Sequence, residues 1–442
     1  MNRLIYRLLR FNNRMKQWLN YRLTPSGLSL LIALFVFGLI GLDIRRSISY
    51  QIFAFLLVVL SISVVMSCLT RCKNRFSVSR KLPRFGTVGV PLKYQIVINN
   101  NKDKPQNGLT LIESLTEPFP NFRTFQRLLK QSKSRNDWLE KLSKRRWAIA
   151  SKQILPILPP HSSTPISAEI LPLRRGPLRL QKITVACPDP LGLVNRCVSF
   201  SLPQSVLILP KRYELPTITL PGARRHQSQG LAMVASLGDS QEFRSLREYR
   251  PGDSPRKIHW KSWAKLGKPV IKEEQTEYSV RHALVLDTFQ TEDYSDVMEE
   301  AVAITTSLAC TVQTQESLLD MLFVSGQAHC FTIGRGLGQT EHLLELLASV
   351  QPCQDEAFES LLPVVRSRLS LLSGCICIFL TWDGARQSLV EQLQQAGVPV
   401  LALIITSETG LKEQPDRSCL KDKQSSLHVL NVNNIQAELL AI

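Results

Sequence analysis

Asp287 and Asp383 are the acids best placed to do chemistry in this 442-residue chain, because each follows a continuous apolar run, HALVLDTF (282–289) and GCICIFLT (374–381). Each carboxylate would stand just past the carboxyl end of a strand, where open α/β sheets bind their ligands. Carboxylates there suit a hard cation such as Mg²⁺ and, through it, a phosphate or peptide substrate. A second concentration of side chains is EFRSLREYRPGDSPRKIHWKSWAK (242–265), with ten charged groups and three indole or phenol rings in 24 positions. Pro251-Gly252-Asp253 reads as a turn, with proline presetting one dihedral and glycine free to take positive φ. It would let Arg244, Arg247, Glu248, Arg250, Arg256 and Lys257 face one another across two arms. Paired with Glu242 and Asp253, these arginines would form an ion-pair lattice that fixes geometry. Turned outward, Arg244, Arg247, Tyr249, Arg250, Gly252, Asp253, Arg256, His259, Trp260 and Lys261 would form a docking surface, with Trp260 and Trp263 as anchors at i, i+3 spacing. The same arginines suit a phosphate group. His259 has no nucleophile motif within reach of it. The sequence holds no His-Glu-x-x-His, Cys-x-x-Cys or G-x-S-x-G, and GRGLGQT (334–340) lacks the phosphate-binding lysine and reads as a strand-to-helix turn. Residue chemistry thus favours a non-enzymatic protein without a cofactor over a metal-dependent enzyme using Asp287 and Asp383.

The elements that would position the two acids alternate regularly. Strands are expected at 282–289, 318–326, 329–333, 374–381, 398–406 and 426–432, and helices at 294–312, 340–350, 356–372, 385–397 and near 433–441. Continuous apolar strands between amphipathic helices imply a parallel, doubly wound α/β domain over 282–442. Upstream, 76–215 holds short alternating runs punctuated by proline and glycine, such as PLKYQIVINN (91–100), GLTLIESL (108–115), TPISAEILPL (164–173), PLRLQKITVAC (177–187) and SVLILP (205–210). These predict a β-sandwich-like domain. A basic insertion at 123–150 has helical periodicity and suits either anionic lipid or a solvated cap. Residues 216–281 carry the charged segment as a separate stretch.

Charge and hydropathy set the surroundings. The net charge is +18, but residues 1–84 carry 14 Lys/Arg against Asp43 alone, whereas 282–442 carry 8 bases against 20 acids. Uncharged stretches at 23–42 and 47–70 are each long enough to span a bilayer of about 30 Å as a helix. The four-residue connector makes them a tight antiparallel transmembrane hairpin within an N-terminal region of 1–75. Six Lys/Arg precede the first span and six follow the second, with Arg45 and Arg46 between, so both ends face the cytoplasm. The charge is therefore a membrane signal, and nucleic acid is not an expected partner, since no reading motif accompanies it. Ten cysteines without framework spacing fit a cytoplasmic bulk, with Cys375 and Cys377 as buried thiols.

Two resemblances add to this reading. The acid after the first strand, with Thr291 four residues on, and Thr381-Trp382-Asp383-Gly384 resemble the metal-ion-dependent adhesion site of von Willebrand factor A domains. The resemblance implies that Asp287, Thr291 and Asp383 would be metal ligands, with Phe289 standing where that motif has a hydroxyl. More broadly, the two spans, RRGPLRLQKITVACPDPLGL (174–193) and the charged segment at 242–261 resemble the bacterial membrane proteins of the domain-of-unknown-function 58 family, with Leu191 in place of a phenylalanine. That resemblance implies an inner-membrane protein acting with a MoxR-type AAA+ ATPase in the assembly or maturation of envelope proteins.

Overall fold

The structure is a computed structural model that describes residues 2–40, 47–69, 76–115, 122, 125–126, 129, 146–216, 243–250, 255, 258–274, 281–292, 294–313, 318–325, 327–333, 337–354, 356–407 and 425–442. The chain divides into two compact units, Met1–Lys211 and Arg212–Ile442.

The first unit opens with three helices, α1 (Asn2–Arg22), α2 (Pro25–Ile40) and α3 (Ser47–Leu69). The window Ile48–Ser67 of α3 is long and apolar enough to cross a membrane, and α2 is a shorter apolar helix of 16 residues. Nine strands follow: β1 (Phe76–Lys81), β2 (Phe85–Thr87), β3 (Leu92–Asn100), β4 (Thr110–Leu115), β5 (Ala148–Ala150), β6 (Gln153–Ile154), β7 (Ser163–Pro172), β8 (Gly176–Pro188) and β9 (Asn195–Leu209). They form two sheets, β1-β3-β7-β5 and β2-β9-β8-β4-β6. Alternating residues of both sheets, among them Ile96, Ile98, Ile170, Leu111, Leu180, Ile183 and Ile208, share one apolar core. That is the two-layer packing that period-2 strands with turn residues between them predict.

The helical periodicity at 123–150 needs correction at its end. Residues 148–150 are strand β5, paired with β7, and Trp147 packs on the sandwich core with the Arg174 guanidinium 5.3 Å over its ring. Phe125 is buried and meets the Tyr6 ring at 5.3 Å. Residues 130–145 lie outside the described residues.

The second unit contains a ribbon of β10 (Phe243–Glu248) and β11 (Val270–Glu274) with α4 (Trp260–Leu266) between them. Beyond it come β12 (Arg281–Leu286), α5 (Asp296–Gln313), β13 (Leu318–Val324), β14 (Ala328–Ile333), α6 (Leu337–Ser349), α7 (Leu362–Arg366), β15 (Gly374–Phe379), α8 (Gly384–Gln395), β16 (Val400–Thr406), β17 (Ser426–Asn431) and α9 (Ile435–Leu440). The sheet order is β14-β13-β12-β15-β16-β17. Its strands are parallel except β14, which pairs antiparallel with β13, a departure from the all-parallel expectation. The short connection from β13 permits only a hairpin return. Strand faces divide cleanly: Leu284, Leu286, Ile376 and Ile378 pack with α5, α6 and α9, whereas Ala283, Val285, Cys375 and Cys377 pack with α7 and α8. Helices therefore cover both faces, as near-continuous apolar strands require. The single helix expected at 356–372 is instead a 3₁₀ turn (Phe358–Leu361), the five-residue α7 and a second 3₁₀ turn (Leu369–Leu371). Pro363 near the start of α7 has no N–H to continue a helix from upstream.

Candidate functional site

The order of the six-stranded sheet reverses direction between β12 and β15, and Asp287 and Asp383 both lie at that switch point. Asp287 follows β12 directly, is fully buried, and receives backbone N–H bonds from Phe289 (3.1 Å) and Leu380 (3.1 Å). Asp383 caps α8, accepting the Arg386 N–H at 3.1 Å, as an Asp at this position commonly does. What joins the two acids is Arg386, on the first turn of α8. Its Nε and Nη2 donate to both Asp287 oxygens at 2.8 and 3.1 Å, its Nη1 donates to Asp383, and its guanidinium lies 4.5 Å from the Phe358 ring centre.

Burial pushes the Asp287 carboxyl above its ordinary range, and the opposing pull of Arg386 and the two backbone donors offsets only part of that rise. Burial pulls Arg386 down, and the two acids hold it up and charged. A bidentate guanidinium–carboxylate fork is the strongest arrangement such a pair can take. The donor set as arranged does not fit a hard cation: the Asp287 oxygens are already occupied, a positive group stands between the acids, and Thr291 is exposed. Among the described residues no three His, Cys, Asp or Glu side chains gather in a way that could hold a metal ion. Sequence reading missed Arg386. Its signal was the Asp-x-x-Arg spacing at a helix start, where i and i+3 share a face.

A second buried pair, Arg281 with Asp320 at 2.8 Å, is braced by Thr332 (2.7 Å to Asp320). It sits at the opposite, amino-terminal end of β12, away from the switch point, and its role is to hold the β12–β13–β14 edge.

The charged segment is arranged differently from the two arms expected around Pro251-Gly252-Asp253. Strand β10 pairs with β11, with Glu248 opposite Val270, and Arg244 lies at a register irregularity between Phe243 and Ser245. Ile258 also bridges to Ile271. Strand β10 and Ile258 thus both meet β11. Gly252, Asp253 and Arg256 lie outside the described residues. Arg247 Nη1 donates to the Glu248 carbonyl at 3.3 Å, Tyr249 N–H to the Pro269 carbonyl at 3.0 Å, and Arg250 is exposed. Lys268 and Glu248 pair at 3.5 Å in the open, where solvent screens the interaction. The His259 Nδ1 lies 2.7 Å from the Ser262 hydroxyl, a local i, i+3 bond at the start of α4, so the structure gives the ring a hydroxyl neighbour that no sequence motif announced.

Helix α4 has no buried residue. Trp260 and Trp263 stack with centroids 5.2 Å apart and 21° between planes, Trp260 is 64% exposed and Leu266 is exposed, and Lys261 and Lys265 flank them. Gly267 closes the helix at φ 69°, its N–H on the Trp263 carbonyl, a left-handed cap that glycine adopts without Cβ strain. The i, i+3 spacing of the two indoles is therefore realised as one aromatic plate, with Trp260 exposed and Trp263 half-buried.

The turn after β8, Asp189-Pro190-Leu191-Gly192-Leu193, forms a third constellation. Asp189 accepts the Ser63 hydroxyl at 2.6 Å and N–H groups of Leu193 (2.7 Å) and Val194 (2.9 Å). The Gly192 carbonyl accepts from the Thr24 and Ser26 hydroxyls at 2.6 and 2.8 Å. The turn is thereby fastened to the start of α2 and the end of α3, an attachment that no local sequence pattern announces.

Among known proteins, residues 245–391 match the family model described as Protein of unknown function DUF58. The match takes in the aromatic plate and the Asp287–Arg386–Asp383 cluster. Uncharacterized protein YeaD of Bacillus subtilis (strain 168) is 26% identical over 190 residues, 42% of this chain, and the chain spans 46% of that relative's length. Solved structures that resemble parts of the chain include Salmonella alpha-2-macroglobulin mutant Y1175G, at 13% identity and a TM-score of 0.19 over 34% of this chain and 8% of that one. The CARDB domain of the PF1109 protein from Pyrococcus furiosus, a complex with di-metal ions, matches at 13% identity and a TM-score of 0.18 over 30% of this chain and 87% of that one.

Proposed function

We propose that this chain is a membrane-anchored, non-enzymatic scaffold whose second unit docks a partner protein through α4 and the β10–β11 ribbon. The observation that carries it is the stack of an exposed Trp260 on a half-buried Trp263, on a helix that buries none of its own residues. Large aromatic anchors flanked by cations are the side chains that dominate protein interfaces. The partner implied by the family resemblance is a MoxR-type AAA+ ATPase, and the process is the assembly or maturation of envelope proteins or complexes.

In this reading α2 and α3 are two membrane spans. Their outward Phe35, Leu39, Phe55, Val58 and Val65 are exposed, and lipid would cover them. The arginine- and lysine-rich flanks put the bulk of the chain on the cytoplasmic side of a bacterial inner membrane. The second unit is taken as a von Willebrand factor A-like domain, supported by a central strand pair flanked on one side by an antiparallel edge strand. Arg386 serves there as a built-in cation, locking the carboxylates that would otherwise recruit Mg²⁺, and this supports a binding role over catalysis.

The test is co-purification of the full-length protein from detergent extracts. A scaffold should retain an AAA+ ATPase that Trp260→Ala/Trp263→Ala releases while its melting temperature holds; an ATPase retained equally by the variant would remove the docking role from α4. Micromolar Mg²⁺ binding abolished by Asp287→Ala would instead favour a metal-dependent enzyme acting on a phosphate or peptide substrate.

A further inference from the structure

Helix α1 carries two parallel stripes. Leu4, Leu8, Phe11, Met15 and Trp18 recur at i, i+4, i+7, i+11 and i+14, which places them on one narrow face, and all five are exposed, Trp18 at 55%. Arg3, Arg7, Arg10 and Arg14 repeat the same spacing one residue earlier, so a basic stripe runs beside the apolar one, roughly 100° round the helix. Neither Asp nor Glu occurs in α1.

The opposite side of the helix is where protein lies. Tyr6 meets Phe122 and Phe125 at 5.4 and 5.3 Å, and Leu9 is half-buried. At the carboxyl end Lys152 donates to the Asn20 carbonyl at 2.6 Å and the Cys197 thiol to the Tyr21 carbonyl at 3.2 Å. Leu23 then bridges to Val194. The helix is thus held on Phe122 and Phe125 by its Tyr6 face and by Arg3, whose guanidinium lies 5.6 Å from the Phe122 ring centre, and on the sandwich by its end, with the apolar stripe turned away.

From these observations we infer that α1 lies flat in the cytoplasmic headgroup layer of an anionic bilayer, its apolar stripe among the upper acyl chains and Arg7, Arg10 and Arg14 on lipid phosphates. The inference rests on the proposed membrane anchoring by α2 and α3, and it adds a lipid-binding element not contained in that reading. The occupant follows from continuity and charge. Pro25, the first residue of α2, is three positions past the end of α1, so the helix ends where the chain would enter the membrane. Leu191, 49% exposed, sits at the tip of the turn that grips Thr24 and Ser26, putting another apolar side chain beside the same entry point. A protein partner would not need a charge stripe of one sign along the whole helix, whereas an anionic leaflet does.

The experiment uses the full-length chain reconstituted into vesicles containing brominated lipid, with and without phosphatidylglycerol. The Trp18 contribution is isolated as the difference between wild type and Trp18→Phe. The expected result is that this contribution falls by about twofold or more with bromine high on the acyl chains of anionic vesicles, as for an interfacial helix. Arg7→Gln/Arg10→Gln/Arg14→Gln should lose that quenching. A Trp18 signal unquenched in protein that stays in the vesicles after an alkaline wash overturns the inference and leaves the anchor standing. Equal quenching in purely zwitterionic vesicles overturns the anionic preference. Protein stripped off by the wash overturns the anchor itself.

Discussion

Arg386 decides what the acids at the sheet's switch point can do, since a buried charge is tolerable only when its partner is in place. Arg386→Leu should destabilise the second unit by about 3–5 kcal/mol, because Asp287 would be left buried and unpaired. Urea unfolding should also find Asp287→Leu/Arg386→Leu more stable than the single variant. Millimolar Mg²⁺ should leave the wild-type melting point within about 1 °C, since a ligand that does not bind cannot stabilise. Asp189 offers a test with a pH sign. Burial pushes its carboxyl up, but the Ser63 hydroxyl and the N–H groups of Val194, Leu193 and Leu191 outweigh it and hold the group below its ordinary 3.8. Its stabilising contribution is therefore present above pH 3.8 and lost as pH falls through the depressed value. The gap in melting temperature between wild type and Asp189→Asn should be full at pH 7 and shrink below pH 3.8; a gap that widens on acidification would contradict the bonding of that turn.

Among the elements, α2 is tied to the β8–β9 turn without slack. A Cβ on Gly27 would stand 2.0 Å from the Leu193 carbonyl oxygen, so backbone must shift to admit it. Gly27→Ala should cost about 1–3 kcal/mol, the range for overpacking, measured as a lower melting temperature in detergent. Gly38, whose Cβ would meet the Phe53 ring at 3.2 Å, should tolerate alanine better because a ring edge can yield. Helix α5 illustrates polar residues made harmless locally. Thr305, Thr306 and Ser307 are buried, yet each donates to the carbonyl four residues back at 2.7 Å, satisfying the hydroxyl inside its own helix. The aromatic plate on α4 behaves oppositely. Trp260→Ala there should change stability by no more than about 1 kcal/mol in urea unfolding, since its indole is held mainly by stacking on Trp263.

At the scale of the molecule, the second unit has its own double-faced core, and the segment entering it contributes. Tyr213 and Leu215 pack against that core, and the Tyr213 N–H reaches the Ser307 hydroxyl at 2.8 Å. A fragment of residues 212–442 should therefore melt cooperatively on its own and at a higher temperature than one beginning at residue 216; equal melting points would show that these side chains add nothing. The sequence by itself determined the class of each part: period-2 runs specify a two-sheet sandwich, continuous apolar strands between amphipathic helices specify the covered sheet with acids at its carboxyl ends, and uncharged stretches specify lipid-compatible helices. Those signals are local, repeating within a few residues along the chain. Only the tertiary structure decided that β14 returns antiparallel, that β10 takes β11 as its partner in place of the nearer arm, and that Arg386 closes on Asp287 from 99 residues away. Asp189 likewise finds Ser63 across 126 residues. Partners this distant in sequence leave no periodicity to read, because they are chosen by which faces the packed cores bring together.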